Sequence, residues 1–353
     1  MKKAYLVLSD GTVYEGSAFG ADASCTGELV FTTGVVGYTE TLTDPCYAGQ
    51  IVMQTFPLVG NYGINETDFE GKCSLRGYVV REYCDEPSNF RSQYALDKFL
   101  KDNGVPGICG VDTRAITRKV REQGVMNAMI CAEVPAELGA LAECTAAQPD
   151  LRRETAVFPA EGEQKYRAAL LDYGARAYIF RELAKRSCEV TAFPADTPAE
   201  EILSGGFDGL LLSGGPGDPA ENGARIAEIE KMLGKLPIFG IGLGHQMAAI
   251  AAGAKTAKMK YGHRGGNQPV RDCKAGCTYI TSQNHGYEVI SATVEKGEIS
   301  FVNANDGGCE GIAYPALNAF TVQFDPEPQP GPRDASFLFD RFISMLGGES
   351  ACR

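Results

Sequence analysis

At 353 residues the chain has room for two or three domains of ordinary size, each long enough to bury its own core. Its 33 Lys and Arg against 45 Asp and Glu leave a formal charge of -12, which excludes sequence-independent nucleic-acid binding, since that needs a surplus of cations. The longest apolar runs, such as Ala168 to Leu171 and Met247 to Ala252, fall far short of the roughly 20 residues of a membrane span, and Lys2-Lys3 before the short run Ala4 to Leu8 makes no secretory signal.

The first part reads as strands joined by turns. Ala4 to Leu8 and Thr12 to Phe19 flank Ser9-Asp10-Gly11, a hairpin signal. Glu28 to Thr33, Gln50 to Phe56 and Gly77 to Tyr83 are further β-rich runs bounded by Gly, Pro, Asn and Asp. The pattern turns helical near Ser92 to Leu100. Asp112 is placed to cap a helix running to about Glu122, with Ile116 and Val120 on one face. Another helix is expected around Ala136 to Ala146, and the polar stretches Gln148 to Arg153 and Glu161 to Lys165 surround the expected linker.

From Arg167 the rhythm becomes strand, helix, strand: Ala168 to Tyr173, Ala177 to Arg186, Cys188 to Phe193, Pro198 to Ser204, Gly209 to Ser213, Ala220 to Leu233 and Pro237 to Ile241. Alternation at these lengths predicts an α/β fold with a mostly parallel sheet and helices on both faces. Ligands of such sheets lie at the carboxyl ends of the strands, so Gly214 to Asp218 and Gly242 to Gln246 are the first places to look for chemistry. The 12 cysteines are spread from Cys25 to Cys352, which reads as reduced thiols in a cytoplasmic protein. Cys273 and Cys277 have no second pair or nearby histidine and read as two strand residues.

Pro237 to Ile241 is an apolar strand that runs through Gly242-Leu243-Gly244 into the apolar helix Met247 to Ala252. Such an elbow can hold a nucleophile on a strained backbone with helix amides facing an oxyanion. The plainer reading is a βα turn whose glycines serve packing. Gly215 and Gly217 likewise read as a tight turn after a strand, and Asn284-His285-Gly286 as a turn with a left-handed residue. His245 and His263 read as hydrogen-bonded structural histidines, because no carboxylate or cysteine stands beside them at ligand spacing, and no metal site is expected.

Longer segments carry more. Leu42 to Gln50 (LTDPCYAGQ), Phe56 to Gly63 (FPLVGNYG), Pro106 to Ala115 (PGICGVDTRA), Ser213 to Pro219 (SGGPGDP), Gly240 to Gln246 (GIGLGHQ), Gly262 to Asn267 (GHRGGN) and Gln283 to Tyr287 (QNHGY) span nearly the whole chain. With them the sequence resembles the small, glutamine-amidotransferase subunit of carbamoyl-phosphate synthase. The resemblance implies an N-terminal β-rich α/β domain over residues 1–150, a linker over 151–166 and a class I glutamine amidotransferase-like domain over 167–353. It also implies a heterodimer with a large, ATP-using subunit, in the pathway toward pyrimidines and arginine. ATP and magnesium are then expected on the large subunit and no cofactor on this chain.

In that family a cysteine on the elbow attacks the glutamine side-chain amide, the histidine of a His-x-Glu pair activates it, and backbone amides hold the tetrahedral oxyanion. Here Gly242 stands at the nucleophile position. The C-terminal segment reads Phe324-Asp325-Pro326-Glu327, so Asp325 stands at the base position while Glu327 remains. Cys46 replaces a serine that helps hold the substrate. By the family's pattern Cys46, Gly215, Gly217, Leu243, Gln246, Asn284, Gly286 and Tyr287 are the glutamine-binding positions. These departures predict a subunit whose own glutaminase step is impaired or absent. Two alternatives stand beside it: a working glutaminase with an unconventional nucleophile such as Cys46, and a stand-alone glutamine-binding module. Cys46 would need its thiolate about 3 to 3.5 Å from the amide carbon, in line with an oxyanion hole. Asp325, with an unperturbed pKa near ~3.9, is poorly matched to a thiol near ~8.5.

Overall fold

A computed structural model describes residues 2–137, 141, 152–327 and 331–348. The chain divides into two units, Met1–Pro149 and Asp150–Arg353.

In the first unit the elements follow as β1 (Lys3–Leu8), β2 (Val13–Gly20), β3 (Cys25–Thr32), α1 (Tyr38–Thr43), β4 (Gln50–Gln54), β5 (Leu58–Val59), β6 (Gly77–Val79), β7 (Glu82–Tyr83), α2 (Leu96–Asp102), β8 (Pro106–Cys109), α3 (Thr113–Gln123) and β9 (Met126–Cys131). Seven of the strands close a barrel in the order β1-β2-β8-β6-β4-β3-β9. Closure leaves no open sheet edge, and the buried faces of β3, β4, β6 and β8 pack with α1 and α2 around Val30, Val52, Tyr78 and Leu100. The Ser9-Asp10-Gly11 hairpin forms, with Val7 opposite Val13. Asp112 caps α3, its Oδ1 accepting from the Ala115 amide at 3.0 Å. The run Gly77 to Tyr83 proves to be two strands in different sheets, because β7 pairs with β5. The helix expected around Ala136 to Ala146 falls largely outside the described residues.

The second unit carries β10 (Ala156–Phe158), β11 (Tyr166–Asp172), α4 (Ala177–Ala184), β12 (Cys188–Pro194), α5 (Ala199–Ser204), β13 (Gly209–Leu212), α6 (Gly223–Met232), β14 (Ile238–Ile241), α7 (Leu243–Ala251), β15 (Thr256–Asp272), β16 (Thr278–Val289), β17 (Glu298–Asn303), β18 (Cys309–Tyr314), β19 (Ala319–Val322) and α8 (Phe337–Leu346). Its ten-stranded sheet runs β10-β12-β11-β13-β14-β19-β18-β17-β15-β16. Strands β12, β11, β13, β14 and β19 are mutually parallel. The four residues of β13 and of β14 are all buried, as continuous apolar strands covered on both faces must be. One face packs on α7 through Leu212, Ile238 and Met247, the other on α4 and α8 through Ile179, Phe239 and Phe339.

The structure adds detail that the sequence does not show. The segment read as a linker contains β10, which pairs antiparallel with β12 and so belongs to the second sheet. The parallel core is extended by the antiparallel strands β18, β17, β15 and β16, which the sequence hid because β15 and β16 are polar, glycine-containing and interrupted by register shifts. Cys273 and Cys277 lie in the exposed turn between β15 and β16 rather than on strands. The ten described cysteines form no disulfide among themselves. Among the described residues no helix is long and apolar enough to cross a membrane.

Candidate functional site

Adjacent parallel strands end on one edge of the second sheet, and their loops converge there. After β13 comes Ser213-Gly214-Gly215; after β14, Gly242; after β19, Gln323 to Glu327. β14 lies between the other two, with Leu212 opposite Gly240 and Ile241 opposite Val322. Gly242 is tied to that neighbour through its amide, which donates to the Val322 carbonyl at 2.9 Å.

Gly242 is the N-cap of α7 at φ 54 and ψ -112. A side chain would be strained in this conformation, which glycine adopts freely. A Cβ added here would meet Gly214 Cα at 3.4 Å and the Gln323 carbonyl oxygen at 3.9 Å, ordinary contacts, so the elbow has room for a side chain that this chain does not supply. Two residues on, Gly244 is fixed by close approach: a Cβ would stand 2.3 Å from the Leu212 carbonyl oxygen. Its amide donates to the Ser213 carbonyl at 3.0 Å, which locks the first turn of α7 onto the loop after β13. Leu243 opens the helix and is buried. Gly215 presses its backbone on Tyr173, where a Cβ would lie 2.3 Å from the carbonyl oxygen, and Gly217 turns the loop at φ 94.

Gln246, one turn into α7, is buried and spends its amide nitrogen on the Tyr287 carbonyl and on Gln323 Oε1, each at 2.8 Å. It therefore joins α7 to β16 and to the segment after β19. Asn284, Gly286 and Tyr287 sit along β16, not in an isolated turn, with Asn284 opposite Arg264 and Tyr287 opposite Lys258 on β15. Cys46 belongs to the first unit, in the short 3-10 turn Pro45–Tyr47, where its amide donates to Asp44 Oδ1 at 2.9 Å.

Asp325 is engaged in a way the sequence did not announce. Its amide donates to the Ser282 carbonyl at 2.9 Å, and its Oδ2 accepts from Arg176 Nη2 at 2.8 Å, the two side chains being 13% and 7% exposed. A carboxylate held by a buried guanidinium is stabilised in its charged, proton-free form, and taking up a proton there would cost the ion pair. Arg176 was missed among the site residues. The available signal was its place four residues beyond the end of β11, on the same carboxyl edge of the sheet. Glu327 is buried, at 1% exposure.

His245 is wholly buried on α7, its Nδ1 2.8 Å from Thr321 Oγ1, and burial pushes its imidazole down to about 3. It is a neutral packing histidine at pH 7. For His263 the sequence expectation rested on the absence of a neighbouring carboxylate, and the fold supplies two: Nε2 lies 2.9 Å from Asp306 Oδ2 and Nδ1 3.3 Å from Glu310 Oε1.

The second unit has the class I glutamine amidotransferase fold, and residues 169–345 match the family described as glutamine amidotransferase class-I. Residues 6–130 match the family described as carbamoyl-phosphate synthase small chain, CPSase domain. A carbamoyl phosphate synthase small chain from Oceanobacillus iheyensis is 46% identical, over 98% of this chain and 96% of its own length. The pyrimidine-specific small chain from Bacillus subtilis is 45% identical, over 99% of each. Among solved structures, a glutamine amidotransferase from Thermotoga maritima aligns at 19% identity and a TM-score of 0.38, covering 52% of this chain and 84% of that one. The chain belongs to the carbamoyl-phosphate synthase small-chain family.

Proposed function

We propose that the chain is a carbamoyl-phosphate synthase small subunit that pairs with the large synthetase subunit but does not itself hydrolyse glutamine, so that the complex draws on free ammonia. The observation that carries this reading is Gly242 on the elbow. Glutamine hydrolysis by this fold begins when a side-chain sulfur attacks the amide carbon and ammonia leaves from the resulting tetrahedral adduct. Glycine has no atom to make that bond. The ion pair between Arg176 and Asp325 at 2.8 Å supports the same reading: the carboxylate at the base position is already engaged by a cation.

The pocket positions Gly215, Gly217, Leu243, Gln246, Asn284, Gly286 and Tyr287 are retained as a set in the second unit, and glutamine binding without turnover is part of the proposal. The subunit's remaining work is to hold the large subunit in its active shape and to shield an ammonia path, toward pyrimidines and arginine in the cytoplasm. The test is carbamoyl phosphate formation by the reconstituted pair with ATP and magnesium, once with glutamine and once with an ammonium salt. Synthesis with ammonia alone supports the proposal. Equal rates with both donors overturn it, and failure of the two chains to co-elute in size-exclusion chromatography overturns the pairing.

A further inference from the structure

Away from the elbow, strands β15, β16 and β18 bring His263, His285 and Glu310 together, each offering a ligand atom within 4.8 Å of the others. His263 and His285 face each other in register across β15 and β16, their ring centroids 5.0 Å apart. Glu310 comes from 47 residues beyond His263 in sequence, which is why no ligand spacing betrays the set.

The surroundings of the three side chains fix which atoms face inward. His263 donates through Nε2 to Asp306 Oδ2 at 2.9 Å, which leaves the Nδ1 lone pair toward Glu310. His285 donates through Nδ1 to the Tyr287 carbonyl at 2.9 Å, which leaves the Nε2 lone pair. Glu310 Oε1 accepts from Asn303 Nδ2 at 2.9 Å, and that amide nitrogen also stands 3.3 Å from His263 Nδ1. A carboxylate or a backbone carbonyl behind each imidazole, and an amide steadying the carboxylate, is the outer shell that metal-binding histidines carry.

Two further facts point to a missing cation. Glu310 is 1% exposed, and its Oε2 is buried without a hydrogen-bond partner among the described residues. A charged oxygen in that state is costly unless something positive meets it. His263 Nδ1 also stands 3.3 Å from Glu310 Oε1, a contact that either a proton on Nδ1 or a bound cation satisfies. The His263–Glu310 separation matches the roughly 3.3 Å edge of a tetrahedron whose bonds to zinc are about 2.0 to 2.1 Å.

We propose that His263, His285 and Glu310 form a binding site for a divalent transition metal of the zinc class, with Asp306, Tyr287 and Asn303 as its outer shell. Two imidazoles and one carboxylate suit zinc, cobalt or nickel rather than magnesium or calcium, which prefer oxygen alone. The ion would tie β15, β16 and β18 together and steady the stretch Asn284 to Tyr287. The inference stands on the cluster alone and does not depend on the glutaminase reading.

The experiment uses the full chain, stripped with a chelator and titrated with zinc chloride by calorimetry, with a thermal melt at each end point. One ion per chain should bind with a dissociation constant of about 1 µM or tighter and raise the melting temperature. Glu310→Gln and His285→Gln should each weaken binding tenfold or more, while Cys273→Ser/Cys277→Ser leaves it unchanged. Cobalt offers a readout in the wild-type chain that needs no folded variant: visible d–d bands without a thiolate charge-transfer band are expected. Absence of stoichiometric binding overturns the proposal and leaves a protonated His263 between Glu310 and Asp306. Binding that is lost with the two cysteines, or a cobalt spectrum dominated by thiolate, overturns it equally.

Discussion

Removing the charge of Asp325 while keeping its shape, as Asp325→Asn, takes from Arg176, 7% exposed, the carboxylate it meets at 2.8 Å. Breaking one side of a buried pair costs up to about 3 to 5 kcal/mol, the full amount applying where the surviving charge has no other partner. At 13% and 7% exposure neither side chain calls for the deep discount of a surface pair. Arg176→Met should cost a similar amount for the opposite reason. The double variant removes both charges of the pair, so its loss should fall short of the sum of the singles by at least about 1 kcal/mol. Urea unfolding followed by circular dichroism, with the transition of the second unit fitted separately, gives the four stabilities. If the losses add within about 0.5 kcal/mol, or Asp325→Asn costs under about 1 kcal/mol, the pair is not the buried lock inferred here and Asp325 is available to take a proton.

Restoring the chemistry takes both positions. Gly242→Cys alone should fold, since its Cβ meets nothing closer than 3.4 Å, at a cost of roughly 1 to 3 kcal/mol for the backbone conformation. Gly242→Cys/Asp325→His should release glutamate faster than the two singles summed, and adding Arg176→Met should raise it again by removing a cation that holds the new imidazole's pKa down. A folded double variant that binds glutamine and releases nothing would show that the pocket has decayed beyond these positions. Gly244→Ala should cost well over about 2 kcal/mol because of the Leu212 carbonyl 2.3 Å from its Cβ, whereas Gly223→Ala, with nothing within 4 Å, should be neutral or stabilising in thermal melts. His245, pushed down to about 3, favours the fold fully above the unfolded pKa near ~6.5 and loses that contribution as pH falls toward its folded value. Wild type should therefore lose up to about 1.4 kcal/mol per pH unit more than His245→Asn between about pH 6 and 4.5, and parallel pH profiles would contradict this.

The parallel core was legible because β11, β12, β13 and β14 are short apolar runs with helices between them, and burial on both faces leaves that mark in the sequence. The barrel of the first unit was legible only as strands. Closure depends on pairings such as Tyr5 with Cys131, and no local pattern records a partner so far along the chain. β15 and β16 were missed for a related reason: alternation breaks where the register shifts near His263 and Gly265. Of the site, Gly242 and Asp325 could be named from the motif. Arg176 and Glu310 could not, because an ion pair across 149 residues and a ligand set spread over three strands exist only once the sheet has formed.

The central claim concerns the elbow, and glutamate release from glutamine reads it most directly. Measured on the purified chain together with the large subunit, at saturating glutamine with ATP and magnesium, the rate should match a no-enzyme control, while the same preparation makes carbamoyl phosphate from ammonia. Steady release above that control would contradict the account, and its disappearance in Cys46→Ser would identify the sulfur responsible.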